Sequence, residues 1–304
     1  MPTQQLSGVY AAAVTPLDDD LNPDLDGLLA LLAFLAGRGC HGALLLGTTG
    51  EGPSFSMAER KQILATGRRI REVHPGFRLL AGAGMPALGD TIDLVRFAFE
   101  NEYDAVVVLP PYYYRTAGEQ GLLTWFGEVI SKSVPEGRGL LGYHIPGVSG
   151  VGLSLDLLRQ LKDAHPDRFL GLKDSSADRD HAMALGDGFG TELLVLNGTD
   201  RLLSEALAAG ASGCITAMAN LVSPDLRSVW DAHNAGRTDP AAQTRLDRAR
   251  SVSERFPPAA ALIKDLLAEF HGFPRWGVKP PLEPLTPDRA ARARLAWKTR
   301  SKIA

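Results

Sequence analysis

Eight short apolar runs, the amphipathic stretches between them, and an ammonium at the end of the sixth run predict the fold class. The chain reads as α/β, a (β/α)8 TIM barrel with a C-terminal helical extension. The runs are Gly8–Thr15, Gly42–Leu46, Arg78–Ala81, Ala105–Leu109, Gly139–Tyr143, Phe169–Leu172, Leu193–Leu196 and Ser212–Ile215. Their hydrophobicity is continuous rather than alternating, which marks strands of a parallel sheet covered on both faces. Eight repeats of strand then helix within about two hundred residues favour closure over an open sheet.

The stretches between them are Asp24–Gly37, Ser56–Val73, Thr91–Asn101, Gln120–Ser133, Leu155–Ala164, Asp178–Gly188 and Leu202–Ala209, with apolar residues three and four apart. Ser56 and Glu59 form a capping-box signature at the head of the second. After Ile215 the strand signal stops. Pro224–Ala235, Pro240–Arg255, Pro257–Phe270 and Pro287–Lys302 read as helices, each entered through a proline suited to a first turn. The first closes the eighth repeat and the others form an appended layer. No low-complexity linker intervenes, so residues 1–222 are expected to form the barrel and 223–304 a helical layer packed on it. The last helix is basic, with Arg289, Arg292, Arg294, Lys298, Arg300 and Lys302, and reads as a solvated or subunit-facing surface.

Composition narrows the partners. The 304 residues are 45% hydrophobic and carry a net charge of -3, which provides no electrostatic footprint for nucleic acid or an anionic membrane. Small molecules are the expected partners. No apolar stretch approaches the roughly 20 residues of a membrane span, and Met1-Pro-Thr-Gln-Gln5 lacks a basic region followed by an apolar one, so a cytoplasmic location is expected. Cys40 and Cys214 flank apolar runs without a C-x-x-C pattern and read as buried, reduced thiols.

Lys173 ends the run Arg168-Phe-Leu-Gly-Leu-Lys-Asp-Ser-Ser176, and Tyr143 ends the preceding run, with one helical pattern between. That spacing is one βαβ unit, so both side chains emerge at the carboxyl end of a parallel sheet, where α/β proteins place their chemistry. The common fate of such a lysine is a buried stem with its head in water. The functional one is amine catalysis, which requires a neutral amine. Bringing a lysine from about 10.4 toward pH 7 takes roughly 4–5 kcal/mol of desolvation or cationic neighbours.

Gly47-Thr-Thr-Gly-Glu-Gly-Pro-Ser54 follows the second run and is built to hold an anion such as a carboxylate, through successive backbone N–H groups beside the Thr48 and Thr49 hydroxyls. Pro110-Pro-Tyr-Tyr-Tyr-Arg115 places three tyrosines after the fourth run, of which one is a candidate proton carrier alongside Tyr143, bridged by Thr48 or Thr49. Gly82-Ala-Gly-Met-Pro-Ala87 matches G-x-G-x-x-A only formally. It does not open the first βαβ unit, and no acidic residue closes the next strand. The histidines are scattered without metal-ligand spacing, and only His144 adjoins the candidate site.

Together Gly47-Thr-Thr-Gly-Glu51, Pro111-Tyr-Tyr113, Tyr143-His-Ile-Pro146 and Gly171-Leu-Lys-Asp174 resemble the dihydrodipicolinate synthase / N-acetylneuraminate lyase family, in its order and on its strands. The resemblance covers about Gly8 to Asn220. It implies a class I aldolase acting on pyruvate or another 2-oxo acid, a homotetramer, with neither metal nor organic cofactor. It also implies that Lys173 forms the Schiff base, that Tyr143 shuttles protons, and that Thr48 and Tyr113 complete the relay, the latter reaching in from a neighbouring subunit. Thr48 and Thr49 match the carboxylate-binding pair. Gly198, Asp200 and Ser175 match positions that hold substrate hydroxyls, and Ile215 lines the pyruvate pocket.

Departures bear on substrate. Dihydrodipicolinate synthases carry an arginine for the second carboxylate where this chain has Val148, and sialic acid lyases a serine where it has Ala217. Similarity to 2-keto-3-deoxygluconate aldolases is closer, and Asp200 suits a polyol tail, so cleavage of a 2-keto-3-deoxy sugar acid is expected. The alternatives are dihydrodipicolinate synthesis, a dehydratase using the same imine, or a sugar-acid binding protein without catalysis.

Overall fold

The computed structural model describes residues 6–300; Met1–Gln5 and Lys302 of the expected last helix lie outside the described residues. Eight parallel strands close in chain order, β8 returning to β1. They are β1 Gly8–Ala12, β2 Gly42–Leu45, β3 Arg78–Gly82, β4 Ala105–Val108, β5 Gly139–His144, β6 Phe169–Asp174, β7 Leu194–Asn197 and β8 Gly213–Thr216. The helices between them are α1 Leu25–Gly37, α2 Met57–Arg68, α3 Leu88–Glu100, α4 Glu119–Ser133, α5 Leu155–Ala164, α6 Arg179–Phe189 and α7 Leu203–Ala208. Then follow α8 Ala219–Asn234, α9 Pro240–Arg255, α10 Ala259–His271 and α11 Pro287–Thr299.

Short polar side chains start the helices where the sequence places them. Asp24, Ser154, Asp178, Asp239 and Thr286 each accept a backbone N–H of the first turn, and Ser56 with Glu59 forms both bonds of a capping box. Of the boundaries that differ from expectation, three have a visible cause. β1 ends at Ala12, because the chain beyond leaves the ladder to brace its surroundings: the Thr15 hydroxyl donates to Gly50 O at 2.7 Å. α8 starts at Ala219, five residues before Pro224, and breaks at Val222 (φ -125, ψ 30). Asn220 accounts for the early start, since its amide donates to Ala12 O at 2.8 Å and accepts from Val14 N at 3.2 Å. α10 begins at Ala259, with Pro258 as its cap rather than Pro257 in its first turn.

Two cores result. Tyr10, Leu44, Leu80, Val107, Leu141 and Ile215 belong to a cluster that fills the barrel, while a larger one lies between strands and helices. Cys40 and Cys214 are free and buried, and burial pushes the Cys40 thiol up to about 12. Gly82 and Gly84 have a packing role: a Cβ would collide with Leu46 O in the first case and with Leu109 N in the second. Among the described residues no helix is long and apolar enough to cross a membrane.

One irregularity aims the sixth strand. Leu140 pairs with Phe169 but Leu141 pairs with Gly171, so Leu170 is an extra residue, a β-bulge. Phe169 packs outward and Leu170 inward; past the bulge Leu172 packs outward again. Simple alternation from Phe169 would turn residue 173 toward the helices. The bulge turns Lys173 into the barrel, paired with Tyr143. Gly171 permits it, with φ +152 and no room for a Cβ against the Leu194 backbone. Gly171→Ala is therefore expected to cost about 3 kcal/mol or more. Urea denaturation checks this, and an unchanged midpoint would contradict the bulge account.

Candidate active site at the carboxyl end of the barrel

Lys173 is 3% exposed at the inner end of β6. Its Nζ donates to the Tyr143 hydroxyl at 3.1 Å and lies 4.2 Å from the centroid of that ring. The Tyr143 oxygen is also 3.1 Å from Thr48 Oγ1, so amine, phenol and hydroxyl form one chain from β6 through β5 to the β2–α2 loop. Burial pushes the Tyr143 phenol up. The Lys173 charge and hydrogen bonds with Thr48, Lys173 and Ser175 outweigh it, and the pKa falls below the usual tyrosine value. A phenol so placed can give and take a proton beside the amine.

The β2–α2 loop is held against its backbone preference. Leu46 and Glu51 both have positive φ, 59° and 57°, and the turn closes through Glu51 N to Thr48 O and Gly52 N to Gly47 O, each 3.1 Å. Among the described residues no chain acceptor takes the N–H of Thr48 or Thr49. Thr48 is exposed and Thr49 half-buried. Two unclaimed amides beside a hydroxyl have the chemistry to bind an anion.

The remaining candidates are distributed unevenly. Ser175 adjoins Gly198, where a Cβ would overlap its hydroxyl, and it is near enough to Tyr143 to help lower the phenol's pKa. Ile215 belongs to the same inner cluster as Tyr143. Val148 is 62% exposed on a helical turn Pro146–Ser149 after β5. Asp200 is fully buried. Its Oδ2 meets Arg250 of α9 at 3.4 Å, and burial, opposed by Arg250, raises its carboxyl pKa. Tyr113 is 77% exposed, stands edge-on to Tyr114 at 5.3 Å, and makes no hydrogen bond with Thr48 or Tyr143 within the chain.

Three features were not singled out from the sequence. Arg60, 4% exposed on α2, lines a cavity of about 30 Å³ with Thr48, Gly82, Gly84, Leu109 and Tyr143. The signal available was the charge three places beyond Met57 on an otherwise inward-facing helix side. Glu51 is buried and paired with Lys264, a contact between residues 213 positions apart. His144, Asp174 and His181 offer nitrogen and oxygen atoms within 4.8 Å of one another, on the outer side of β5 and β6. The imidazoles stack at 4.4 Å. Those histidines looked unrelated because 37 residues and a helix separate them. The donor set does not suit a metal ion: Leu153 N donates to His144 Nδ1 at 2.9 Å, which occupies that ring's lone pair and leaves only a protonated nitrogen.

The profile of the Dihydrodipicolinate synthetase family matches residues 5–298. A DapA-like lyase of Chloroflexus aurantiacus is 38% identical over 294 residues, 95% of each chain. An N-acetylneuraminate lyase of Lactiplantibacillus plantarum is 30% identical over 94% of this chain and 95% of its own. The crystal structure of dihydrodipicolinate synthase from Agrobacterium tumefaciens superposes with a TM-score of 0.85 at 29% identity, covering 96% of this chain and 98% of that one.

The low Tyr143 pKa depends on the neighbouring ammonium, so Lys173→Met removes the main opposition to burial and must raise it. Phenolate absorbance near 295 nm, with Tyr143→Phe subtracted, is expected to appear at higher pH in the variant. An unmoved titration would mean that Lys173 does not govern the phenol.

Proposed function

Since the chain belongs to the dihydrodipicolinate synthetase family, we propose that it is a class I lyase that reversibly cleaves a 2-keto-3-deoxy sugar acid to pyruvate and an aldehyde, through an imine on Lys173. The observation that carries this reading is the chain Lys173 Nζ, Tyr143 OH, Thr48 Oγ1, with 3.1 Å at each step, at the barrel's carboxyl end. The neutral amine adds to the C2 carbonyl, and the carbinolamine hydroxyl takes up one proton from solvent and leaves as water, forming an iminium; that proton is returned when the iminium is hydrolysed at the end. Tyr143 takes the C4 hydroxyl proton, the C3–C4 bond breaks toward the iminium, and the aldehyde departs. The enamine regains a proton at C3 through Tyr143, and water releases pyruvate from Lys173. The Thr48–Thr49 amides hold the carboxylate, so that the keto carbon lies near the amine.

Tyr113 completes the relay from a neighbouring subunit of a homotetramer in this reading, which its exposure supports. Ser175 and Gly198 face the substrate hydroxyls, Ile215 the pyruvate methyl. Asp200, held by Arg250, acts on a polyol tail only through the loop it anchors. The second reading is condensation of pyruvate with aspartate semialdehyde, the activity named for relatives such as a 4-hydroxy-tetrahydrodipicolinate synthase of Prochlorococcus marinus, 29% identical. Val148 disfavours it, because that side chain itself offers no cation to the second carboxylate of a dicarboxylate product.

Borohydride with pyruvate is expected to add one three-carbon unit at Lys173, read by peptide mass. An unlabelled lysine at saturating pyruvate sinks the proposal. Tyr143→Phe should still be trapped but lose about 10²–10⁴ in turnover. Given pyruvate with glyceraldehyde or aspartate semialdehyde, the enzyme is expected to condense the former; preference for the semialdehyde would reverse the substrate reading.

A further inference from the structure

Lys264 of α10 and Glu51 of the β2–α2 loop are both 0% exposed in their side chains and meet at 2.5 Å. Neither belongs to the imine chemistry. A dehydrated pair is a poor source of net stability, since a packed apolar pair of like volume holds a fold as well. What it provides here is direction. One Glu51 oxygen takes the Lys264 ammonium and the other accepts Lys279 N at 2.8 Å, while Lys264 Nζ also donates to Gly277 O at 2.6 Å. The carboxylate is thereby fixed along two lines to the chain around residues 277–279. Burial pulls the Lys264 pKa down, opposed by Glu51, so the ammonium depends on its partner.

The constraint passes to the anion seat through the loop itself. Glu51 has left-handed backbone, and its N–H bonds to Thr48 O, the residue whose hydroxyl meets Tyr143. Gly52 packs closely within the same loop, where even a Cβ would fall on Leu46 O. One further clip holds the loop itself, Thr15 reaching Gly50 O, and Lys279 also pairs with Glu59 in the first turn of α2, just beyond it.

We propose that Lys264 is a positioning residue for the carboxylate seat: through Glu51 it sets where the Thr48 and Thr49 amides point. The C-terminal helical layer thus tunes the affinity of the site for a 2-oxo acid. This role rests on the function proposed above.

The test uses the full-length protein and the double variant Glu51→Gln with Lys264→Met, which removes both charges at similar volume. Its melting temperature is expected to stay within a few degrees of wild type. The pyruvate concentration for half-maximal borohydride trapping should rise at least about 10-fold, with the extent at saturation unchanged because Lys173 and Tyr143 are intact. A folded double variant with wild-type half-saturation overturns the proposal. Hydrogen exchange at the Glu51 and Gly52 amides is read alongside, and at least about 10-fold faster exchange is expected. If wild type is not trapped by pyruvate, the imine reading fails, and this exchange still decides the positioning role. Should the double variant not fold, Glu51→Gln alone is read by the same two measurements, and no change in either overturns it.

Discussion

The register between β5 and β6 is the constraint on which the site depends. Side chains alternate across a strand, so whether Lys173 faces Tyr143 or the helices is decided by a single residue of offset. The bulge at Leu170–Gly171 provides that offset and brings the amine to the phenol. It also decides what stands behind them. His144 and Asp174, paired one step further along, turn outward to meet His181 of α6. Two adjacent rungs of the ladder therefore serve opposite faces, one chemical and one supporting.

The buried charges show how the rest is tied to those strands. Glu51 lies midway along the β2–α2 loop and Asp200 on the turn after β7, and each meets a cation sent by a C-terminal helix, Lys264 from α10 and Arg250 from α9. Loops at the carboxyl end of a barrel have little packing of their own. Here that end is braced from outside by α9 and α10, and the deep core under the strands stays apolar.

Much of this was legible in the chain. Continuous apolar runs located every strand to within a few residues, and Ser56 with Glu59 marked a helix start because their side chains satisfy N–H groups that nothing else reaches. Lys173 stood out as a charge inside an apolar run. The bulge was not legible, since Leu-Gly-Leu reads alike with or without an extra unpaired residue. Nor were Glu51–Lys264 and Asp200–Arg250, because pairing across 213 and 50 positions leaves no local pattern. Pro224 did mark a first turn, that of the segment after the break at Val222; what the sequence did not show is the short stretch from Ala219 that Asn220 ties to β1.

Val148 has a different standing from every residue in the lumen. At 62% exposed, it can be exchanged with little effect on folding, whereas Lys173 sits where register, bulge and packing all constrain it. On the proposed reading, bond chemistry and choice of partner rest on parts of the fold with unequal tolerance: a substitution at the exposed rim costs little stability, whereas one in the lumen disturbs the register that holds the amine against the phenol.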